Sequence, residues 1–221
     1  MAAKLPAWIT PDGLTAIALA GAVLSAVAYA LAGQSLLWLH VASLGFVVHW
    51  WGDSLDGTLA RVRQIRRERY GFFVDHQCDA ISAVLLAVGL GLGPLMKMEI
   101  ALAILVGVLL LMLLVNMVTI ARDVFKISFG SVGPTELRLA AIAMNTAVWA
   151  VGPWSVEALG TTWTLVDVVG AGCATALLVV YAVFAVRETR LIARLDPTPP
   201  PGHDGQPFDP TGQNVGGDGA T

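Results

Sequence analysis

The sequence predicts an all-α integral membrane protein: a bundle of six transmembrane helices with both termini in the cytoplasm. Of its 221 residues, 56% are hydrophobic and only 13% are charged, about half the charged fraction of an ordinary soluble domain. The mean hydropathy is +0.72. So few charges cannot cover the surface of a soluble domain of this size, and so apolar a chain does not stay disordered.

Six apolar segments are long enough to cross a bilayer as helices, which takes about 20 residues. Breaks that contain glycine or proline separate most of them and favour helix ends there. The segments cover residues 14–32, 36–59, 72–92, 99–121, 136–151 and 163–186. The last third of the second segment carries aspartates.

The basic residues support this count of spans. With the N-terminus in the cytoplasm, six spans leave only Lys97, among 13 Lys and Arg residues, on the outer side. Such a bias follows the positive-inside rule. An odd number of spans would distribute the basic residues over both sides. We therefore expect a multi-pass protein of the cell (inner) membrane.

The chain divides into a membrane domain, residues 1–195, and a tail, residues 196–221. The tail has six Pro and six Gly among its 26 residues, which predicts a flexible cytoplasmic segment. The first apolar run loosely resembles a secretory signal peptide. Its length and the Pro-Asp-Gly sequence at residues 11–13 favour a retained first span instead.

Four aspartates lie near the cytoplasmic ends of the second and third predicted spans. Asp53 and Asp56 are three residues apart, and Asp75 and Asp79 are four apart, so each pair lies on one helix face. The two helices are consecutive and antiparallel. Both pairs therefore lie at the same depth and can face each other. Ionisable groups inside a span are costly and usually functional.

Four neighbouring carboxylates repel one another unless a cation binds between them. Oxygen ligands favour a hard cation such as Mg²⁺ or Mn²⁺. The alternative is a purely structural anchor, in which the aspartates pair with arginines of the basic loop that follows. Small residues share the acidic faces: Gly57 and Ala60 on the second helix, and Gly71 on the third. They allow close helix packing, leave room for a flat ligand, or do both.

Residues 53–79 resemble the signature of the CDP-alcohol phosphotransferase family. That signature reads DxxDGxxAR, a spacer and GxxxDxxxD, and all eight of its fixed residues occur here. The spacer, residues 62–70, is one residue longer than is usual in the family, and a longer loop can absorb the additional residue. The Thr-Pro-Asp-Gly-Leu-Thr stretch at residues 10–15 is similar to the Pro-Asn stretch that often opens family members.

The resemblance implies a phospholipid-synthesis enzyme that transfers a phosphoalcohol group from a CDP-linked donor to an acceptor alcohol and releases CMP. It also implies two divalent ions, Mg²⁺ or Mn²⁺. The implied metal ligands are Asp53, Asp56, Asp75 and Asp79. Asp79 is in addition the expected catalytic base for the acceptor hydroxyl. The implied nucleotide-binding residues are Gly57, Ala60, Arg61 and Gly71.

Other polar residues near the predicted site have two interpretations each. Arg122, Lys126 and Arg138 flank the connection between the fourth and fifth spans, either as membrane anchors or as a phosphate pocket. Arg138 is the best placed of the three because it lies one turn inside its helix. His49 and His76 are expected to have supporting or structural roles. The arginines of residues 61–69 are expected to be a solvated run that faces lipid headgroups.

The donor and the acceptor are left open. The small size and compact plan favour CDP-diacylglycerol with a small polar acceptor. Residues 75–79 are instead similar to the stretch in relatives that use CDP-choline or CDP-ethanolamine with diacylglycerol. Intramembrane carboxylates are also typical of transporters, but no internal repeat supports a transporter. A non-catalytic scaffold is the third class. No nucleic-acid partner is expected, and a homodimer is left open.

Overall fold

The computed structural model describes residues 2, 5–122, 134–158 and 160–196. Within them, the helices are α1 (Pro11–Leu31), α2 (Trp38–Val62), α3 (Glu68–Leu92), α4 (Met98–Arg122), α5 (Pro134–Val151) and α6 (Leu165–Leu195). Two short strands, β1 (Ser155–Ala158) and β2 (Thr161–Thr164), form an antiparallel hairpin between α5 and α6. Each predicted apolar segment thus corresponds to one helix. The predicted tail beyond Asp196 lies outside the described residues.

Four of the helices, α1, α3, α4 and α6, are long and apolar enough to cross a membrane. This makes the chain a membrane protein with an all-helical core. α2 has 25 residues, but Asp53, Asp56 and Arg61 lie in its C-terminal half. α5 has 18 residues and carries Glu136 in its first turn. Spanning by these two helices and the cytoplasmic position of the termini stay predictions.

The N-terminus of α1 lies three residues before the start of the predicted apolar segment. The Thr10 side chain accepts a hydrogen bond from the Gly13 backbone N–H at 3.0 Å, and Pro11 occupies the first helical position. A side-chain N-cap followed by proline is a strong start signal for a helix. The helix therefore begins at its cap rather than at its first apolar residue.

Helix α1 packs closely against both α2 and α3, whereas the backbones of α2 and α3 stay further apart. Glycines permit the close approaches. A Cβ atom on Gly21 of α1 would lie 2.5 Å from the His49 backbone nitrogen, and one on Gly52 of α2 would lie 2.6 Å from the Leu14 carbonyl oxygen. Gly89 of α3 lies equally close to the α1 backbone. Small residues at such crossings let helix backbones meet.

A polar network crosses the interior of the bundle. The Tyr29 hydroxyl donates to Asn145 Oδ1 at 3.0 Å, and Asn145 Nδ2 donates to Ser43 Oγ at 3.1 Å. These two hydrogen bonds join α1, α5 and α2. The apolar residues around Tyr29 include Leu39 and Val148, both buried. Hydrogen bonds between helices satisfy polar groups that would otherwise be unpaired in an apolar interior.

The hairpin lies at the end of the bundle that is distant from residues 53–79. Lys97, which follows α3, donates from its side chain to Thr161 Oγ1 at 3.0 Å and from its backbone N–H to Asp167 Oδ1 at 2.7 Å. Asp167 and Thr164 form a capping box at the start of α6. These contacts fix the start of α6 against the end of α3. The sequence analysis did not predict this hairpin.

Candidate functional site

A cavity of about 1220 Å³ opens where α2 ends and α3 begins, with the N-terminal end of α1 forming part of its wall. Three of the four motif aspartates, Asp53, Asp56 and Asp75, line it. All of the predicted nucleotide-binding residues line it as well: Gly57, Ala60, Arg61 and Gly71. Asp79 is not among the lining residues. Seven of the eight fixed residues of the motif therefore face one space.

Asp56 is held by two hydrogen bonds. Its Oδ2 atom accepts from the Thr15 hydroxyl of α1 at 2.7 Å, and its Oδ1 atom accepts from the Gly57 backbone N–H. Because both oxygens are engaged, the carboxylate has a defined orientation toward the cavity. Sequence reasoning missed Thr15. The only signal for it was its place at the end of the Thr-Pro-Asp-Gly-Leu-Thr stretch.

Asp53 forms an ion pair with Arg138, which reaches it from α5. Arg138 Nη2 lies 2.8 Å from Asp53 Oδ2, and the two side chains are only 14% and 26% exposed. Arg138 therefore joins the acidic cluster. The arginines of residues 61–69 form no ion pair with a motif aspartate in the described part of the chain. The alternative hypothesis, in which loop arginines pair with the motif aspartates, is therefore wrong. The arginine that pairs with Asp53 comes from α5.

Asp75 and Asp79 of α3 are the other two members of the acidic cluster, beside Asp53 and Asp56. Asp75 and Asp79 are exposed. The charge of Asp75 interacts with those of Asp53 and Asp56, and the charge of Asp79 interacts with Asp75, Asp53 and Arg138. The two pairs are therefore close enough to repel one another, as the equal depth of the helices predicts. Arg138 offsets one of four negative charges, which leaves a site that favours a cation.

The oxygen donors around the cavity fit a divalent ion. Within the described ranges, no group of three or more His, Cys, Asp or Glu side chains is arranged to hold a metal ion. Mg²⁺ usually takes only one or two protein carboxylates and completes its shell with water and substrate phosphates. Carboxylate ligands are the ones that Mg²⁺ and Mn²⁺ prefer. The donor set suits such an ion, and the individual ligands stay a prediction.

The small residues at the cavity are not helix-packing residues. A Cβ atom added to Gly57 or to Gly71 would meet nothing within 4 Å. Gly52, one turn before Asp56, is different because it lies against the α1 backbone. The sequence left two explanations open for Gly57 and Gly71: close helix packing and space for a ligand. The geometry supports space for a ligand.

The comparison with known families bears on this site. A family model described as CDP-alcohol phosphatidyltransferase matches residues 8–186. The chain belongs to that family. The match begins before α1 and ends within α6, so it covers the cavity and both halves of the motif. No curated protein sequence matches this chain. Family membership makes the protein a membrane transferase of phospholipid synthesis and indicates phosphatidyl transfer from a CDP-alcohol.

In this member of the family, two arginines of the basic loop bind the N-terminal segment. The Arg63 guanidinium donates to backbone carbonyls of residues 5–9. Arg67 forms an ion pair with Asp12 at 3.1 Å. These contacts hold the N-terminal segment beside the cavity, where Asp12 is one of the lining residues. The prediction of a mostly solvated run is therefore wrong for Arg63 only, because the Arg67 side chain stays 60% exposed within its ion pair.

The long spacer does not disturb the motif. Residues 62–70 form the end of α2, a turn and the first residues of α3. Gln64 lies in this turn with a φ of 58°, a left-handed conformation that non-glycine residues adopt mainly in turns. Both halves of the transferase motif stay on regular helices, so the connection absorbs the additional residue as expected.

Besides Asp79, four residues of the sequence prediction lie outside the cavity lining: Arg138, Arg122, His49 and His76. Lys126 lies outside the described residues. Arg122 forms an ion pair with Glu188 of α6 at 2.8 Å, and Glu188 is only 8% exposed. The structure therefore does not bring Arg122 to the cavity. His49 Nε2 lies 3.3 Å from Ser82 Oγ in the interior and joins α2 to α3. His76 Nδ1 lies 2.9 Å from a backbone carbonyl of its own helix. These histidine contacts agree with structural roles.

Proposed function

We propose that this chain is an integral-membrane enzyme that transfers a phosphatidyl group from CDP-diacylglycerol to an alcohol acceptor and releases CMP. The observation that carries the proposal is the cavity. Three aspartates and the small and basic residues of the motif line one space in a chain of the phosphatidyltransferase family. Phosphoryl transfer depends mainly on positioning and on neutralising charge, and both can be provided by these residues.

The cytidine nucleotide binds on the side of the cavity that contains the glycines. Gly57 and Gly71 leave open space there, which suits a flat base and a ribose. Arg61 is oriented by its own helix, since its Nε atom donates to the Gly57 carbonyl oxygen at 3.2 Å. Its guanidinium offsets the charge of the donor phosphates. Ala60 adds a further small side chain to this wall.

Asp53, Asp56, Asp75 and Asp79 would hold two divalent ions, Mg²⁺ or Mn²⁺. Such ions, when bound, neutralise the pyrophosphate and stabilise the attacking and leaving oxygens of a displacement. The protein supplies orientation. Arg138 fixes Asp53, and the Thr15 hydroxyl fixes Asp56. We also propose that Arg138 contacts a substrate phosphate, since it is the basic side chain within the acidic cluster.

Asp79 accepts the proton of the acceptor hydroxyl. It lies one helical turn beyond Asp75 and next to the cavity rather than in its lining, where an acceptor can approach it. The acceptor oxygen attacks the phosphorus that carries diacylglycerol and forms the new phosphodiester. The bond from that phosphorus to the bridging oxygen breaks, and CMP leaves with the electron pair. A positioned base typically contributes about 10²–10⁴-fold to the rate.

The site faces the cytoplasm in this proposal, and all six helices cross the bilayer. The basic residues of the loop after α2 lie at the cavity, whereas Lys97 lies at the opposite end of α3. The positive-inside rule then assigns the cavity end to the cytoplasm. A water-soluble acceptor enters from that side, and the lipid donor enters sideways from the bilayer. The described residues give no support for the homodimer.

A second candidate uses CDP-choline or CDP-ethanolamine with diacylglycerol. The observation that favours it is the Asp75–Asp79 stretch, which is similar to that branch of the family. Both reactions release CMP, so the cavity chemistry is the same. They differ in whether the lipid is on the donor or on the acceptor.

A panel of donors distinguishes the candidates. Purified protein in lipid vesicles is supplied with CDP-diacylglycerol and glycerol 3-phosphate, inositol phosphate or serine, and separately with CDP-choline or CDP-ethanolamine and diacylglycerol. We expect CMP release only with CDP-diacylglycerol, and none from an Asp56→Asn control. CMP release only with CDP-choline or CDP-ethanolamine would establish the second candidate. Absence of CMP in every arm would favour a transporter or a scaffold.

A further inference from the structure

A second open surface lies at the C-terminal end of α6, and its described lining residues all belong to that helix. It has a volume of about 740 Å³ and shares no lining residue with the cavity. Its basic residues are Arg187, Arg190 and Arg194. Its apolar residues include Val183 and Val186, which are 59% and 51% exposed. The surface therefore has an apolar part followed along the helix by a basic part.

The length of α6 places the two parts at different depths. The helix has 31 residues, which at 1.5 Å per residue is roughly 46 Å. The hydrocarbon core of a bilayer is about 30 Å thick. A helix that starts at its Thr164 cap therefore leaves the hydrocarbon near residue 185. Val183 then lies at the level of the acyl chains, and the three arginines lie at the level of the headgroups.

The three arginines lie on one side of the helix, and no acidic residue in the described part of the chain neutralises them. Their spacings of three and four residues place them on one face. None of the three forms a hydrogen bond or an ion pair with another described residue. Glu188 is the acidic residue of this turn, and its side chain is turned inward to Arg122 at 2.8 Å. No described residue occupies the guanidinium donors, and their planar geometry is well suited to a phosphate.

We propose that this surface binds an anionic phospholipid of the cytoplasmic leaflet. The arginines contact the phosphate and the negatively charged headgroup, while an acyl chain lies along Val183 and Val186. A zwitterionic lipid also has a phosphate, but its ammonium group offsets the attraction. The proposal requires α6 to cross the membrane and does not depend on the identity of the donor. It assigns a ligand to a surface that the transfer reaction does not use.

The test compares the binding of phosphatidylglycerol and phosphatidylcholine to the full-length detergent-purified protein by native mass spectrometry. Each Lys or Arg near an anionic surface contributes about fivefold in affinity, so three contribute on the order of a hundredfold. We expect a preference of this order for phosphatidylglycerol. The triple variant Arg187→Gln, Arg190→Gln, Arg194→Gln should lose it, and the corresponding triple lysine variant should keep part of it.

The control is Arg69→Gln, which removes one exposed arginine in the first turn of α3 that does not line the catalytic cavity, and it should lower the preference no more than about fivefold. An unchanged preference in the triple glutamine variant would overturn the proposal, as would equal binding of both lipids by the unaltered protein.

If inorganic phosphate displaced phosphatidylglycerol at equal concentration, the site would bind a free anion instead. If deletion of residues 197–221 raised the affinity tenfold, the tail would be the occupant. The readout contains no CMP, so it is independent of the transferase assay.

Discussion

Gly57 and Gly52 lie on the same helix, yet their surroundings differ. Gly57 borders the cavity, and a Cβ atom there would meet nothing within 4 Å. Gly52 packs against α1, and a Cβ atom there would lie 2.6 Å from the Leu14 carbonyl oxygen. In a helix interior, alanine is more stable than glycine by about 0.5–1 kcal/mol when no neighbour interferes. The two glycines therefore predict opposite outcomes for the same substitution.

Gly57→Ala should keep or raise the melting temperature and should weaken binding of the CDP donor. A methyl group that intrudes on the bound nucleotide typically costs about 1–3 kcal/mol, equivalent to roughly 5- to 150-fold in apparent KM. Gly52→Ala, the control, should lower the melting temperature and leave the KM of surviving protein unchanged. Donor titration beside a melting curve measures both. A lower melting temperature with normal KM for Gly57→Ala would assign Gly57 to helix packing.

Asp79 and Asp56 should respond differently to the same neutral substitution. Asp79→Asn removes the proposed base and should lower kcat by about 10²–10⁴-fold, with a smaller loss of metal affinity than Asp56→Asn causes. Asp56→Asn should lower both kcat and metal affinity, because Asp56 is the carboxylate that Thr15 orients toward the cavity. Metal titration of each variant under turnover separates the two effects. Equal losses of metal affinity in both variants would remove the distinction.

At the scale of elements, the start of α6 depends on one buried carboxylate. Asp167 is 1% exposed and accepts from the backbone N–H groups of Lys97 and Thr164 at 2.7 and 2.9 Å. Asp167→Ala leaves both donors unpaired, at a cost of about 1–3 kcal/mol for each that stays buried. We expect a clearly lower melting temperature and an unchanged donor KM. Glu157→Ala on the exposed hairpin is the control, and an equal effect there would contradict this assignment.

The helices could be predicted from the sequence because long apolar runs between glycines and prolines have few other stable forms in a bilayer. The predicted start of α1 was three residues too late, because the helix begins at its cap, Thr10, rather than at its first apolar residue. The hairpin at residues 155–164 was missed for a different reason. Its strands have four residues each, and such short segments give no periodicity to recognise.

At the scale of the whole molecule, the site was predictable where its residues are close in sequence. The motif brings Asp53, Asp56, Asp75 and the two glycines of α2 and α3 to one cavity, because helical spacing determines their faces. The partners from other helices were not predictable in this way. Arg138 is 85 residues from Asp53, and Thr15 is 41 residues from Asp56. Such contacts depend on how α1 and α5 pack against α2.

The orientation of the bundle gives a further prediction. In a variant with Cys78→Ala and Cys173→Ala, a single cysteine is introduced at Ser155 of the hairpin or at Gln64 of the loop after α2. An impermeant maleimide applied to intact cells should label the Ser155→Cys protein only, because six spans place the hairpin outside. Lysed cells should give labelling at both positions. Labelling of Gln64→Cys in intact cells would reverse the proposed orientation.

The central claim is that the cavity between α1, α2 and α3 performs metal-dependent phosphatidyl transfer. Its most direct test is CMP release by purified protein, first in excess EDTA and then after titration with Mg²⁺ or Mn²⁺, beside the Asp56→Asn variant. We predict no release in EDTA, recovery with either metal for the unaltered protein, and little recovery for the variant. Full turnover in excess EDTA would contradict the claim.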